Sequence, residues 1–127
     1  MNKVNAMAKS YRDLDIWKNG IEIVSDIYDV TKKFPKDEMF GLVVQMRRSA
    51  VSIPSNIAEG FARQYNREYK QFLYVALGSC SELETQIIVG SKQCYCSKEI
   101  KDKLLEQLDH ESRMIMNMIK AVSGSLK

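Results

Sequence analysis

The sequence predicts an all-α protein, an antiparallel up-down-up-down four-helix bundle whose second helix is kinked near Pro54. The 127 residues include only 2 prolines and 6 glycines and show few alternating strand patterns, a composition typical of helical proteins. Apolar residues also recur at three- and four-residue steps in four segments joined by short links. This is the pattern of a bundle whose neighbouring helices run in opposite directions.

The chain is long enough for one domain with its own core. We expect a flexible N-terminal segment at residues 1–12, the bundle at 13–123 and a short C-terminal tail at 124–127. The first dozen residues lack the apolar stretch of a signal peptide, and no later apolar run reaches the ~20 residues that span a bilayer. Three cysteines without a repeated spacing suggest reduced thiols, so we expect a cytoplasmic protein that does not associate with a membrane.

The first helix is predicted from Asp13 to about Lys33. The Phe34-Pro35 pair ends it, because the residue before a proline is displaced from the helical region. Its inward face is predicted from the three- and four-residue spacing of apolar side chains. These residues are Leu14, Trp17, Ile21, Val24 and Tyr28.

The second helix is predicted to start near Lys36 to Met39, with Asp37 and Glu38 suited to its positive amino end. Pro54 removes a backbone donor and crowds the preceding turn, so we expect a kink within one long helix, with Ser52 and Asn56 binding the freed backbone groups. Apolar residues cover roughly half of the circumference. One bundle core needs less, so part of this face is expected at a subunit interface. The main stripe is Val43, Met46, Ala50, Ile53, Ile57 and Phe61, and Val44, Val51 and Ala58 extend it.

The third helix is predicted over residues 67–91. Gly78 weakens a helix by about 1 kcal/mol relative to alanine, so we expect a packing reason for it, the close approach of another helix. Glu84 lies on the apolar side of this helix, and Arg47 lies within the apolar arc of the second. An unpaired buried charge is costly, so we expect Arg47 and Glu84 to form a shielded ion pair, within a subunit or across a subunit boundary. The apolar seam is Tyr69, Leu73, Ala76, Cys80, Leu83 and Ile87.

The fourth helix is predicted to begin at the N-cap Ser97 and to end near Ser123-Gly124-Ser125. Glu111 falls on its apolar side and is a second candidate for pairing with a basic residue. The apolar stripe is Ile100, Leu104, Leu108, Ile115, Met118 and Val122.

No group of residues predicts a catalytic, metal or cofactor site. His110 has no carboxylate or cysteine at metal-ligand spacing, and a single peripheral histidine does not support a Ser-His-Asp triad. Cys94 and Cys96 form one C-x-C pair, whereas a structural zinc ion needs four ligands. No glycine-rich nucleotide loop follows a strand. We therefore expect a protein that is not an enzyme and holds no metal or cofactor.

The remaining functional signal is the mixture of basic and aromatic residues between positions 43 and 76. Arginine can hold phosphate groups, and exposed aromatic rings can stack on unpaired bases. The alternative is a solvated helical flank, because two of the aromatic residues fall on or beside the core stripe. The basic residues are Arg47, Arg48, Arg63, Arg67 and Lys70, and the aromatic residues are Phe61, Tyr65, Tyr69, Phe72 and Tyr74.

Three stretches carry a family likeness: YRDLDIWK at 11–18, QMRRSAVSIPSNIAEGF at 45–61 and EYKQFLYVALGSCSELETQ at 68–86. Together they resemble the bacterial 23S rRNA intervening-sequence proteins, also called four helix bundle proteins. The resemblance implies a homopentameric, barrel-like ring. It also implies a link to RNA, because some members are encoded within insertions in 23S ribosomal RNA genes. Similar proteins are accessory factors of reverse transcriptases in diversity-generating retroelements, where a basic surface contacts RNA and polymerase.

The polar residues that match the family pattern are Arg47, Arg48, Asn56, Glu59 and Glu84. We assign Arg47 and Glu84 to structure and assembly, and we assign nucleic-acid binding to Arg48, Arg63, Arg67 and Lys70. The sequence thus favours a non-enzymatic, oligomeric bundle that binds structured RNA or a ribonucleoprotein partner. The alternative is a protein-interaction scaffold with no nucleic-acid role, and a third possibility is a bundle that binds a small molecule or a metal.

Overall fold

The computed structural model describes residues 8–124. Its four helices are α1 (Asp15–Thr31), α2 (Leu42–Phe61), α3 (Asn66–Lys92) and α4 (Lys98–Gly124). Two short 3-10 helices, Tyr11–Asp13 and Lys36–Glu38, precede α1 and α2 respectively. Residues 8–124 contain no strand. The predicted all-α four-helix bundle is therefore confirmed.

Each helix packs against the next one along the chain, and α1 also packs against α4. The four helices therefore enclose a shared core. Between α2 and α3, the Ser49 hydroxyl donates to Glu82 at 2.9 Å and the hydroxyls of Ser52 and Ser79 lie 2.8 Å apart. Residue numbers thus fall along α3 as they rise along α2, which is the order for helices that run in opposite directions.

The predicted inward face of α1 is correct only in part: Leu14 is buried, and Trp17 and Val24 pack half-buried against the core. The predicted residues Ile21 and Tyr28 remain 37% and 38% exposed. The reason is that α1 carries two adjacent apolar rows about 100° apart, and the bundle buries the row that contains Gly20. A Cβ atom added at Gly20 would lie 3.4 Å from the Cβ of Pro54, so this row allows α1 to approach α2 closely. The buried residues of α1 are Ile16, Gly20, Ile23, Ile27 and Thr31.

The second helix passes through Pro54 without interruption, as the prediction of one long helix requires, and the kink itself stays a prediction. The Asn56 amide spans the proline by donating to the Ser52 carbonyl at 2.8 Å and to the Ser52 hydroxyl at 2.9 Å. At the other end, the Glu38 carboxylate accepts from the backbone N–H of Leu42 at 3.2 Å and caps the helix. The start differs from the prediction, because residues 36–38 form a separate 3-10 helix.

The predicted stripes of α2 and α3 form most of the core. Five of the six α2 residues and all six α3 residues are buried, and Phe61 is half-buried. Ser97 caps α4, with its hydroxyl 3.1 Å from the backbone N–H of Ile100.

Two contacts hold the chain just before α1. Ser10 caps the Tyr11–Asp13 helix, and the Tyr11 ring packs edge-on against Trp17 at 5.3 Å. The flexibility of residues 1–12 stays a prediction. The prediction for residues 1–7, and that for the tail at 125–127, fall outside the described residues.

Candidate nucleic-acid interface

The turn between α2 and α3 depends on a glycine. A Cβ atom added at Gly60 would lie 2.8 Å from the Cβ of Phe72 and 2.9 Å from Cδ1 of Tyr69, distances that real Cβ atoms essentially never show. Glycine therefore lets the last turn of α2 contact the first turns of α3. This close approach brings residue 63, just beyond α2, over the side of α3.

Three of the predicted nucleic-acid-binding residues lie in this turn or in the first two turns of α3. The guanidinium carbon of Arg63 lies 4.7 Å from the centre of the Phe72 ring. Arg63 and Arg67 are exposed and Lys70 is half-buried. None of the three forms an ion pair with any residue between 8 and 124. Their donors therefore remain directed to solvent. We call Arg63, Tyr65, Arg67 and Lys70 the basic turn.

Aromatic side chains adjoin these cations. Tyr65 is the N-cap residue of α3, has an extended backbone and is 59% exposed. Tyr74, two turns further along α3, is 52% exposed. By contrast, Tyr69 is only 2% exposed, which confirms the interpretation of that residue as part of the core. Only part of the predicted aromatic set is therefore available for stacking on a base.

Arg48 lies apart from the other predicted nucleic-acid-binding residues. It precedes Arg63 by 15 residues, which on a helix corresponds to roughly 20 Å. It borders a shallow groove of about 370 Å³ between α1 and α2, which we call the α1/α2 groove. The groove is lined by Tyr28, Val44, Arg47, Arg48 and Val51. The structure thus divides the predicted basic set between two surfaces.

The predicted ion pair between Arg47 and Glu84 does not form within the protomer. Instead, Nε of Arg47 donates to the Thr31 hydroxyl at 3.0 Å, and the guanidinium carbon lies 4.5 Å from the centre of the Tyr28 ring. The Thr31 hydroxyl in turn donates to the Ile27 carbonyl at 2.6 Å. Arg47 therefore joins α2 to the end of α1. The Tyr28 ring and the Thr31 hydroxyl, rather than a carboxylate, stabilise its half-buried charge.

Glu84 faces a different neighbour, the fourth helix. Burial raises the pKa of the Glu84 carboxyl, and the negative charge of Asp109 on α4 raises it further. A pairing of Arg47 with Glu84 across a subunit boundary stays a prediction, because a single protomer does not test it.

Glu111 is buried as predicted, but its partner is not a basic residue. Its carboxyl Oε1 accepts from the Asn19 amide at 3.0 Å. Nearby, Cys80 is fully buried, and burial raises the pKa of its thiol to about 12 despite a hydrogen bond with Ser112. The prediction of Cys80 as a small buried residue is confirmed.

Gly78 has no packing neighbour within the protomer, because a Cβ atom added there would meet nothing within 4 Å. The prediction of a close helix at this glycine is therefore wrong for a single chain. Around it, α3 presents exposed apolar side chains. We call this surface the outer α3 face, and it consists of Tyr74 (52% exposed), Val75 (52%), Gly78, Ile88 (41%) and Val89 (45%).

Residues 8–124 include no cluster of three or more His, Cys, Asp and Glu side chains that could hold a metal ion. His110 and Cys94 are exposed, and Cys96 is half-buried. No helix in the same range combines the length and the apolar character needed to cross a membrane.

Fold and surface together define a class: an all-α four-helix bundle with unpaired cations at one interhelical turn and an apolar groove on another face. The chain belongs to the 23S rRNA-intervening sequence protein family, whose model matches residues 12–117. It is also similar in structure to a protein of unknown function from the S23 ribosomal protein family of Bacteroides thetaiotaomicron. That likeness has a TM-score of 0.77 and 21% identity over 83% of this chain and 98% of the other, and it shows the fold alone. A comparison with curated proteins finds no match.

Sequence reasoning missed the polar residues that organise the helix contacts. Thr31 and Asn19, which hold Arg47 and Glu111, were not singled out, and neither was the Ser49 contact with Glu82. Thr31 could have been found from its position one turn after Ile27 on the row that α1 buries. Asn19 offers no such signal, because it adjoins that row without belonging to it.

Proposed function

We propose that the protein is a non-enzymatic, oligomeric bundle that binds structured RNA through the basic turn. The observation that supports this proposal is that two exposed arginines, Arg63 and Arg67, flank the exposed Tyr65 along the chain at one interhelical turn, with no ion pair to any described residue. Guanidinium groups bind phosphate oxygens in a fixed fork geometry, and a tyrosine ring stacks on an unpaired base. Membership of a family defined by sequences that interrupt 23S rRNA supports the same partner class.

The basic turn is moderately charged, which determines the expected mode of binding. Glu59 is exposed and Glu68 half-buried on the same stretch of chain, and these acids reduce the attraction to phosphate. Three cations that each neutralise a phosphate give a slope of about −2 to −3 in a plot of log K against log salt concentration. Binding should therefore be weak for one protomer and stronger for an oligomer that presents several basic turns.

The test is the binding of a labelled RNA hairpin with an unpaired loop, measured across a salt series. We expect the Arg63→Glu, Arg67→Glu double variant to lose at least tenfold in affinity. The matched control is Lys103→Glu, Arg113→Glu, which changes the charge equally on α4, and it should lose much less. Equal losses in the two variants would show that only net charge matters and would contradict a site at the basic turn.

We assign the α1/α2 groove and the outer α3 face to contacts between copies of this chain. Both surfaces expose apolar side chains that one bundle leaves uncovered, and Gly78 leaves room for a helix backbone to approach. The groove of one copy facing the α3 helix of the next would repeat head to tail, and such contacts close into a ring when the rotation permits. A ring of five is the size that the family resemblance implies. Arg48, on the rim of the groove, would then serve either the subunit contact or an RNA that reaches across it.

Absolute mass in solution tests the assembly. Wild-type protein should be several times the 14.6 kDa protomer mass, and Val75→Glu should reduce it, because a charge on the outer α3 face would be buried by the contact. Asn117→Glu, which adds the same charge at an exposed polar position of α4, should leave the mass unchanged. A wild-type mass of one protomer would contradict the assembly.

Arg48→Glu distinguishes the two roles of Arg48. If Arg48 serves the subunit contact, the variant should change the mass. If Arg48 binds RNA, the variant should change only the RNA affinity.

A protein-interaction scaffold with no nucleic-acid role is the second candidate. It is supported by the loop between α1 and α2, where Phe40 is 90% exposed and Met39 is 52% exposed. Exposed aromatic anchors of this kind commonly bind a pocket of a partner protein. A partner retained after nuclease treatment, and lost in Phe40→Ser, would favour the scaffold. Release of all bound material by nuclease would favour the RNA-binding function.

A further inference from the structure

The fourth helix carries a fully buried acidic side chain that only one hydrogen bond stabilises. Glu111 has no exposed surface. Its Oε1 accepts from the Asn19 amide at 3.0 Å, whereas no hydrogen-bond partner among residues 8–124 reaches its Oε2. An ionised carboxylate in this position would leave a charged oxygen without water and without a donor, which is strongly unfavourable.

Three helices meet at this oxygen. A Cβ atom added at Gly20 of α1 would lie 3.3 Å from Oε2 of Glu111 and 3.4 Å from the Cβ of Pro54 on α2. Gly20 is therefore in contact with both the acid of α4 and the proline of α2. A larger residue at position 20 would separate them, so the close junction of α1, α2 and α4 depends on these three residues.

No positive charge compensates the acid. Asn19 and Gly20 approach it from α1, and Pro54 of α2 packs against Gly20; none of the three is charged. From α3, the facing titratable group is the thiol of Cys80, and the acid that interacts with that thiol from the same helix is Glu84. Within residues 8–124, no lysine or arginine forms an ion pair with Glu111.

Protonation would resolve the problem at Oε2. A neutral carboxylic acid needs no counter-ion, and its O–H is a donor. Burial raises the pKa of the Glu111 carboxyl to about 7, and the hydrogen bond from Asn19 only partly opposes this rise.

We propose that Glu111 is a neutral acid in the folded bundle and acts as a pH sensor, because its ionisation loosens the junction of α1, α2 and α4. In the unfolded chain the same carboxyl titrates near its ordinary pKa of 4.5, whereas in the folded protein it titrates near 7. The folded state thus binds one more proton between these values. Stability is fully present below pH 4.5, falls as the pH rises to 7 and then levels off. The folding equilibrium constant should fall about tenfold per pH unit within that window.

Two measurements on the full chain test the proposal. The first is the ¹³C shift of the Glu111 side-chain carboxyl against pH, with the signal assigned by its absence in Glu111→Gln. A midpoint near 7 supports the proposal, whereas a midpoint near 4.5 overturns it. The titration is recorded on wild-type protein, and a through-bond correlation of the carboxyl carbon with the Glu111 backbone assigns the signal if the variant folds poorly.

The second measurement is urea unfolding between pH 5 and 8 of wild type, Glu111→Gln and a control, Glu106→Gln. The control makes the same change at an exposed position of α4. The folding constants of wild type and control should fall as the pH rises. The contribution of Glu111 to this fall, about tenfold per pH unit, should be missing from Glu111→Gln. Parallel profiles for all three proteins would overturn the proposal.

Discussion

The α1/α2 groove and the basic turn each place an arginine over an aromatic ring, but the two arginines differ in what else they contact. Arg47 lies 4.5 Å from the Tyr28 ring centre, and Arg63 lies 4.7 Å from that of Phe72. Arg47 is half-buried and donates to Thr31, whereas Arg63 is exposed and has no ion pair with a described residue. The ring contact alone therefore does not distinguish a structural arginine from a binding one. The two are distinguished by the guanidinium donors that remain available after folding.

The largest expected effect is on the geometry of the basic turn. Gly60→Ala places a Cβ atom 2.8 Å from the Cβ of Phe72, so the helices must separate. We expect a loss of about 3 kcal/mol in the free energy of unfolding, measured by urea denaturation, together with weaker RNA binding. Unchanged stability would show that α2 and α3 can separate at no cost and that the turn is not rigidly held.

The second effect tests the structural role of Arg47. Arg47→Leu keeps apolar bulk but removes the hydrogen bond to Thr31 and the contact with the Tyr28 ring. A hydrogen bond to a charged group and a partly buried cation–π contact together predict a loss of about 2 kcal/mol. The neighbouring, exposed Arg48 gives a matched control, because Arg48→Leu should change stability by less than about 0.5 kcal/mol. Similar losses for both variants would remove the distinction between the two arginines.

The sequence predicted the core better than it predicted the contacts of polar residues. The stripes of α2 and α3 were correct because burial follows helical periodicity, which is a property of one segment. The inward face of α1 was correct only in part because both of its apolar rows fit that periodicity, and the choice between them depends on Gly20 meeting Pro54 from another helix. The Arg47 partner was wrong for the same reason. A buried charge predicts that some partner exists, but whether it is a carboxylate or a hydroxyl beside a ring is decided by packing between helices.

For the candidate site, sequence reasoning identified the residue types but not their grouping. Arg63, Arg67 and Lys70 are close in sequence and flank one turn, so their placement at the same end of α2 and α3 could be predicted. Arg48 was grouped with them because a helical projection shows only direction around the axis. The separation of roughly 20 Å lies along the axis, where such a projection gives no information.

The third and smaller effect concerns Gly78 on the outer α3 face, a surface that is apolar where the basic turn is charged. In dilute protein, where the protomer is separate, Gly78→Ala should raise the free energy of unfolding by about 1 kcal/mol, because alanine favours the helix and no atom opposes its methyl group. At a concentration where copies assemble, the same methyl group should weaken the assembly. Urea unfolding and mass measurements at two concentrations separate the effects. A gain in stability with no change in mass would place the subunit contact elsewhere.

The smallest expected effect on stability, and the sharpest test of the comparison, is Arg63→Gln. Glutamine keeps a polar side chain of similar length at an exposed position, so unfolding should change by less than about 0.5 kcal/mol. If Arg63 holds one phosphate, the slope of log K against log salt concentration should become less steep by about 1 for each occupied basic turn. Arg113→Gln on α4 is the control, since that arginine pairs with Asp109 at 3.2 Å and lies away from the turn. An unchanged slope in Arg63→Gln would mean that its exposed guanidinium is surface charge only, and the free donors of the basic turn would then not mark a binding site.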